Sequence, residues 1–475
     1  MPRLLKTRFA PSPTGLLHLG NVRTALFNYL LARRENGVFL LRIEDTDAMR
    51  GHEKYTEALQ ADLRWLGLVW SEGPAVGGAL GPYLQSERSA IYQRYFAELE
   101  ANGLAYPCFC SEHELNIARK TALAAGRPPR YSGKCRQLAP EERLARFAAG
   151  TPATLRFHVE DGGRVEFEDG VRGSQVFETS EIGDFIIRRS DGTPAFFFCN
   201  AIDDALMEVT LVVRGEDHLT NTPRQILLLQ ALGLPLPAYA HIALVVGADG
   251  APLSKRTGSR SVQELREAGF LARAVNNYLA RLGHTYENNQ LLGLDALAAE
   301  FSARRLHRAP ARFDEQHLHH WQHEAVRHAS TDELCDWVTP AARALMPERS
   351  RDAFLEAVRG NVLFPPDTER WAKVVFGDTL EIAHDAHQAI EDAGKEFFDI
   401  ARRAIEKHGD DFKALSGMVQ HLTGRSGKAL FQPLRAALTG ALDGPEMARL
   451  LPLMGEERAR ARLVRWSNGG AGWTS

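Results

Sequence analysis

Arg8-Phe9-Ala10-Pro11-Ser12-Pro13-Thr14-Gly15-Leu16-Leu17-His18-Leu19-Gly20-Asn21 decides the fold. It begins at the end of a short strand candidate, Leu4 to Phe9, and leads into a segment from Leu19 to Glu35 in which Val22, Leu26, Tyr29 and Leu30 recur at helical spacing, with Gly37 just beyond. A second apolar run, Val38 to Ile43, ends on Glu44-Asp45-Thr46-Asp47, and Glu53 to Leu66 is again amphipathic. Strand–helix alternation of this kind argues for a parallel α/β sheet. Such sheets bind ligands at the carboxyl ends of their strands, and helix N-termini draw phosphate. Gly20 admits close approach to the backbone, and His18 can hydrogen-bond a phosphate oxygen. Read alone, the same loop is an ordinary strand–helix turn with a surface histidine.

Further along, residues 105–195 break the pattern with three cysteines and β-like pieces at Ala153 to Val159, Gly163 to Phe167 and Phe185 to Arg189. They read as an insertion between two halves of the sheet. Alternation resumes with a strand at Glu208 to Val213. The chain then turns through Arg214-Gly215-Glu216-Asp217-His218 into a helix with Thr222 as N-cap, Pro223 at its first position, Gln225 completing a capping box and Gly233 ending it. His241 to Val246 is another strand, followed by a turn at Gly247-Ala248-Asp249-Gly250. After Arg256 the sequence reads helical almost to its end, with a boundary near residue 325. Leu253-Ser254-Lys255-Arg256 places a lysine where it can meet the charge that builds on a leaving pyrophosphate. Alone, those residues are common surface sequence.

The chain has 475 residues, enough for several domains. Its 44% hydrophobic and 25% charged residues are the ordinary mix of a soluble globular protein, and five cysteines exclude a disulfide scaffold and suit a reducing cytosol. No apolar run approaches the roughly 18 residues of a membrane helix, and Met1 to Phe9 has no signal-like apolar core, so neither membrane nor targeting segment is expected. Fifty-seven Lys and Arg against 60 Asp and Glu give a net charge of −3. That average hides a strip from Ile117 to Leu138 holding Arg119, Lys120, Arg127, Arg130, Lys134 and Arg136 with no acidic residue, a phosphate-binding pattern. Arg458, Arg460, Arg462 and Arg465 form another basic stripe near the end.

Taken together, the two loops resemble the signatures of the class I aminoacyl-tRNA synthetases. His18-Leu19-Gly20-Asn21 is similar to their HIGH motif, with Asn21 for the last histidine, and Pro252-Leu253-Ser254-Lys255-Arg256 to their KMSKS motif, with Pro252 for the first lysine. Arg8 to Gly15, Arg42-Ile43-Glu44-Asp45-Thr46-Asp47, Arg214 to His218 with Asn221-Thr222-Pro223, Pro310 to Asp314 and Leu430 to Gly440 extend the resemblance to the glutamyl-tRNA synthetases over nearly the whole chain. The resemblance implies an α/β, Rossmann-like parallel sheet split by an acceptor-binding insertion and followed by an all-α anticodon-binding region. The expected parts are 1–107 and 196–256 for the two catalytic halves, 108–195 for the insertion, 257–325 for a stem-contact helical domain and 326–475 for the anticodon-binding region. It also implies ATP-dependent attachment of L-glutamate to tRNA(Glu) through glutamyl-adenylate, with Mg²⁺ at the phosphates, in a cytoplasmic monomer. A tRNA(Gln)-directed or non-discriminating enzyme is the alternative. His18 and Lys255 would stabilise phosphate charge. Pro11, Gly15, His18, Gly20, Asn21, Leu253, Ser254, Lys255 and Arg256 would bind ATP. Arg8, Ala10, Ser12, Glu44, Phe196, Asn200 and Arg214 would bind glutamate, the arginines holding carboxylates and Glu44 the ammonium; the family usually has tyrosine at Phe196.

Cys108-Phe109-Cys110 and Cys135 suggest zinc, which takes four ligands. Reduced buried thiols are the plain alternative. In the family's zinc-bearing members a histidine stands at Gln137, a poor ligand; Tyr131 matches the tyrosine ligand of the related glutamyl-queuosine tRNA(Asp) synthetases, so the resemblance points to Cys108, Cys110, Tyr131 and Cys135. Those relatives lack the C-terminal region present here, and glutaminyl-tRNA synthetases carry a β-barrel where this tail reads helical. His317, His319, His320 and His323 have no carboxylate or cysteine partner in the pattern and align with an ordinary helix. Gly424 to Lys428 lacks the first glycine and final Ser/Thr of a phosphate loop. The first strand is followed by no Gly-x-Gly-x-x-Gly, which removes a Rossmann oxidoreductase, and His18, Gly20, Ser254 and Lys255 argue against a nucleic-acid-binding module with a degenerate site.

Overall fold

The computed structural model describes residues 4–46, 52–126, 130–253 and 260–468. The strands among them are β1 (Lys6–Phe9), β2 (Val38–Leu41), β3 (Ala105–Cys108), β4 (Thr154–Phe157), β5 (Arg164–Asp169), β6 (Gly173–Glu178), β7 (Phe185–Arg188), β8 (Leu211–Gly215), β9 (Ala238–Ile242), β10 (Val245–Val246) and β11 (Ala311–Arg312). The chain divides into two compact units, Met1–Arg266 with Val275–Glu315, and Glu267–Ala274 with Gln316–Ser475.

In the first unit β1 and β2 pair in parallel, Lys6 opposite Val38, with the helix Leu19–Arg34 between them in sequence. All four residues of β1 are buried, and the helix buries Val22, Ala25, Leu26 and Leu30. The parallel pair β8 and β9 forms the other half. The halves meet where the Thr210 amide donates to the Lys6 carbonyl at 3.0 Å and the Lys6 amide donates to Thr210 Oγ1 at 2.8 Å. Thr7 Oγ1 donates to the Asn28 carbonyl, and Asn28 Nδ2 donates to the Val213 carbonyl, so one buried asparagine ties the helix to both halves.

The intervening segment supplies an antiparallel sheet, β3-β4-β7, and the hairpin β5-β6. The hairpin is not a separate appendage. Asp169, the last residue of β5, pairs in parallel with Tyr239 of β9, which extends the second half of the sheet.

Several local expectations change. The strand expected from Glu208 starts at Leu211, because the helix Phe196–Leu206 runs into Glu208, which turns back at φ 58°. The run to Ile43 leaves the ladder after Leu41, and Ile43 bridges Leu84 instead. His241 to Val246 splits into β9 and β10, the latter pairing with Ala311–Arg312. The capping box at Thr222 does not form. Thr222 is the first helical residue, and its hydroxyl and the Gln225 side chain both accept from Arg214.

The second unit is helical. Its core gathers Phe354, Trp371, Phe398, Leu434 and Leu450. Within the Leu430 to Gly440 block, Leu430, Leu434, Ala436, Ala437 and Leu438 are buried, so most of that motif is packing. Gly440 ends its helix at φ 74°, where a Cβ would lie 2.0 Å from the Glu381 carbonyl oxygen. The basic stripe near the end is partly structural. Arg458 donates to the Val375, Phe376 and Met454 carbonyls, and buried Arg462 to the Leu438 and Gly377 carbonyls, satisfying helix C-termini.

Candidate active site

The carboxyl ends of β1, β2 and β8 converge on one buried ionic cluster. Arg8, at the end of β1, donates from Nε to Asp204 Oδ1 at 3.1 Å and from Nη2 to Oδ2 at 3.3 Å. Arg42, one residue past β2, is fully buried and donates to the same Asp204 at 2.7 Å and to Glu44 Oε1 at 3.2 Å. Asn200 Nδ2 also donates to Glu44 Oε1. Burial raises the Glu44 pKa above the ordinary carboxyl value, against the pull of Arg42 and Arg8. Asp203, next along the helix, collects Arg88 Nε at 2.7 Å, Gln85 Nε2 at 2.8 Å and the Tyr92 hydroxyl at 2.8 Å.

Arg214, on β8, sits opposite this group and has a different kind of environment. Its Nε donates to His241 Nε2 at 3.1 Å, and its Nη2 to Thr222 Oγ1 at 2.9 Å and Gln225 Oε1 at 2.7 Å. All three acceptors are uncharged, and among the described residues no carboxylate lies within ion-pair distance of it. Its Nη1 is buried with no hydrogen-bond partner. Burial, helped by repulsion from Arg8, lowers the Arg214 pKa to about 10, still well above neutrality. Gln225 Nε2 donates to Asn200 Oδ1 at 3.2 Å, which links Arg214 to Glu44 through two amides.

His18 is the N-cap of the helix Leu19–Arg34, and its Nδ1 accepts the Asn21 amide at 3.4 Å. In the neutral ring the proton therefore sits on Nε2, which is a donor. A Cβ on Gly20 would stand 3.1 Å from the His18 ring, so glycine keeps this cap open. Pro11 is buried and its carbonyl accepts the Glu44 amide at 3.0 Å, tying the first loop to the end of the second strand. Ser12 is exposed in that loop, and Ala10 and Gly15 are half-buried. Phe196 is half-buried at the start of its helix and stacks on His218, centroids 5.3 Å apart. Leu253 is buried, and its amide donates to the Val245 carbonyl at 2.8 Å, fixing the root of the second loop. Ser254, Lys255 and Arg256 lie outside the described residues, as do Asp47 and Arg127.

The structure thus brings Arg8, Glu44, Asn200 and Arg214 into one network. The residues that complete it were not foreseen: Arg42, Asp204, Gln225, His241 and Asp169. One signal was available. Asp203-Asp204 closes the otherwise apolar run Phe196-Phe197-Phe198-Cys199-Asn200-Ala201-Ile202, and adjacent carboxylates in such a helix need buried cations.

A second cluster lies at the end of β3. Cys108, Cys110 and Cys135 hold their sulfurs within 4.8 Å of one another. The Tyr131 hydroxyl is 3.4 Å from Cys108 Sγ and 3.6 Å from Cys110 Sγ, and the Cys110 and Cys135 sulfurs are 3.6 Å apart. Tetrahedral zinc, with Zn–S near 2.3 Å, needs sulfurs about 3.8 Å apart and oxygen about 3.5 Å from sulfur. The four groups fit. Gln137 is exposed and contributes nothing to the cluster. Burial pushes the Cys108 thiol up, but Tyr131 and Arg156 outweigh it and bring its pKa to about 7. Burial and the neighbouring thiols push Cys110 to about 11. Among the described residues this is the one cluster with metal-ligand geometry, and the histidines at 317–323 form none.

A family model described as the catalytic domain of class I tRNA synthetases (E and Q) matches residues 4–320, and one described as an anticodon binding domain matches residues 311–466. The chain is 61% identical to glutamate–tRNA ligase 2 of Nitrosococcus oceani over 459 residues, covering 97% of each. It is 54% identical to glutamate–tRNA ligase 1 of Methylococcus capsulatus, covering 98% of each. A crystal structure of a glutamate tRNA ligase from Elizabethkingia meningosepticum in complex with its amino acid superposes with a TM-score of 0.87 at 28% identity, over 98% of this chain and 100% of that one.

Proposed function

The chain belongs to the class I tRNA synthetases of the glutamate and glutamine type, and from that membership we propose that it is a glutamate–tRNA ligase with its amino-acid site at the Arg8–Glu44–Arg214 network. The observation that carries this assignment is Arg214 Nη1, a buried cationic donor with no partner at the carboxyl end of a strand. A carboxylate is the ligand that such a group lacks. Glutamate supplies two. Arg8 already shares Asp204 with Arg42, so Arg214 is the principal carboxylate anchor, and Asn200, Ser12, Phe196 and Ala10 complete the proposed glutamate-binding set. Glu44, whose two bonds from Arg42 and Asn200 both end on Oε1, faces the substrate ammonium.

Class I synthetases use ATP with Mg²⁺, which screens the phosphates. In the proposed reaction an oxygen of the glutamate α-carboxylate attacks the α-phosphorus, and the bond to pyrophosphate breaks. The terminal ribose hydroxyl of the tRNA then attacks the acyl carbon and releases AMP. His18 Nε2–H and Lys255 hold phosphate charge as it develops, Pro11, Gly15, Gly20 and Asn21 shape the first nucleotide loop, and Leu253, Ser254 and Arg256 the second. No side chain becomes covalently modified. We assign 1–107 and 196–256 to the catalytic halves, 108–195 to the acceptor-end insertion, 257–325 to stem contact and 326–475 to the anticodon. Cys108, Cys110, Tyr131 and Cys135 would hold a structural zinc that braces the insertion. No helix among the described residues is long and apolar enough to cross a membrane.

Aminoacylation of purified tRNA(Glu) and tRNA(Gln), side by side, tests the proposal and identifies the tRNA; failure to charge either refutes it. Lys255→Ala should lower turnover sharply with tRNA affinity nearly intact, whereas equal loss of both would mark a folding defect.

A further inference from the structure

His241 and Asp169 lie 72 residues apart in sequence and have no place in the loops that resemble known signatures. The strand pairing of Asp169 with Tyr239 brings them together. Asp169 Oδ1 accepts the amides of Val171, Arg172 and His241 at 3.0, 2.8 and 3.1 Å, and Oδ2 accepts His241 Nδ1–H at 2.6 Å. Both residues are buried, His241 completely. Burial pushes the Asp169 carboxyl up, but the His241 side chain and these amides outweigh it, so it stays ionised. Burial, joined by Arg214 and Arg8 and opposed by Asp169, lowers the His241 pKa and keeps the ring neutral. With its proton on Nδ1, the ring presents a lone pair at Nε2.

That lone pair faces Arg214 Nε–H at 3.1 Å. The Thr222 hydroxyl, also 3.1 Å from His241 Nε2, accepts from Arg214 Nη2. Nε and both protons of Nη2 are thereby engaged by His241, Thr222 and Gln225, and the planar guanidinium cannot rotate without breaking three bonds. Only the Nη1 end remains, and it is the end with no partner. A protonated His241 would set N–H against N–H and displace the guanidinium.

We propose that His241, held as its Nδ1–H tautomer by Asp169, is a positioning residue that orients Arg214 so that Nη1 meets a carboxylate of the substrate glutamate. The inference rests on the assignment of this network as the amino-acid site. It adds a relay, Asp169 to His241 to Arg214, in which a carboxylate fixes the geometry of the cation without neutralising it.

Two variants divide the imidazole's roles. His241→Asn keeps a donor for Asp169 but removes the acceptor facing Arg214; His241→Gln places an amide oxygen near the Nε2 position. Steady-state aminoacylation of tRNA(Glu) with each variant should show the glutamate KM raised about tenfold or more in His241→Asn, with the KM for ATP and tRNA within about twofold of wild type, and most of that loss restored in His241→Gln. Thermal midpoints taken in parallel track folding, since His241→Gln gives up the Asp169 contact that His241→Asn keeps and both change a buried side chain. Equal impairment in both variants, changes that follow the midpoints, or a wild-type glutamate KM in His241→Asn would overturn the relay while leaving the ligase assignment standing. A wild-type enzyme unable to charge tRNA(Glu) or tRNA(Gln) would remove the assignment and the relay with it.

Discussion

Asp204 is the most demanding test of the buried cluster. It accepts from Arg8 at 3.1 Å and from Arg42 at 2.7 Å, and all three side chains are less than 5% exposed. At these separations, an effective dielectric near 20 gives about 5–6 kcal/mol of gross attraction per contact, which the desolvation of the ions opposes. Removing one partner of a buried pair leaves that desolvation uncompensated and costs about 3–5 kcal/mol. Here two guanidiniums lose their common anion, so Asp204→Ala belongs at the upper end, and Asp204→Asn, which keeps an acceptor, at about 2–3 kcal/mol. The first unit comprises about 300 residues, for which an unfolding entropy of roughly 0.6 kcal/mol/K converts about 3–5 kcal/mol into a midpoint shift of about 5–8 °C. Scanning calorimetry reads this directly, because a two-unit chain need not melt in one step. The transition lowered by Asp204→Ala should differ from the one lowered by a substitution in the second unit. A shift under about 2 °C would refute the claim that Asp204 holds the arginines in place.

Gly440→Ala supplies that second substitution: with φ at 74° and its Cβ driven to 2.0 Å from the Glu381 carbonyl, it should cost at least about 3 kcal/mol and lower the helical unit's midpoint by about 8 °C, read in the same scans. His284, buried beside Phe301, has its pKa lowered by burial to about 4. The unfolded chain therefore binds the proton more tightly, so its contribution is complete above about pH 6.5 and is lost as pH falls towards 4, up to about 3 kcal/mol, and His284→Phe should flatten the midpoint-against-pH curve over that range. Metal analysis of freshly purified protein should find about one zinc per chain, and Cys135→Ser well under one; a wild-type value well under one equivalent sinks the four-ligand site.

How much of this could be read from the sequence follows from the range of each interaction. His18 and Gly20 act within one turn of one helix, so their placement at its N-terminus was legible. The cysteines and Tyr131 lie within a 28-residue span from Cys108 to Cys135, and their meeting at Tyr131 was legible through spacing and resemblance. Arg8 and Arg214 were singled out by the resemblance, and their places near strand ends agree with it. Arg42 and Asp204 were not, because the helix Phe196–Leu206 reads as apolar core and its carboxylates acquire meaning only once β1, β2 and β8 are side by side. Thr222 and Gln225 were misread for the same reason. Their spacing satisfies a capping box, but Arg214 offers charge-assisted bonds, which outweigh a neutral contact at a helix end.

The charges of the cluster explain why the site keeps a cation for its ligand. Arg8, Arg42 and Arg88 have Asp204, Glu44 and Asp203 among their partners. The remaining guanidinium is Arg214, and its partners are a hydroxyl, an amide oxygen and a neutral imidazole. Had Asp169 touched Arg214 directly, the ion pair would have cancelled the charge that the proposed site offers a substrate carboxylate. Interposing His241 transfers the carboxylate's ordering effect while leaving the positive charge unpaired. Burial, helped by repulsion from Arg8, lowers the pKa of this unpaired guanidinium to about 10. At the proposed amino-acid site a carboxylate at Nη1 would supply the missing counterion, so charge would favour glutamate over its neutral amide at the Arg214 donor that has no protein partner.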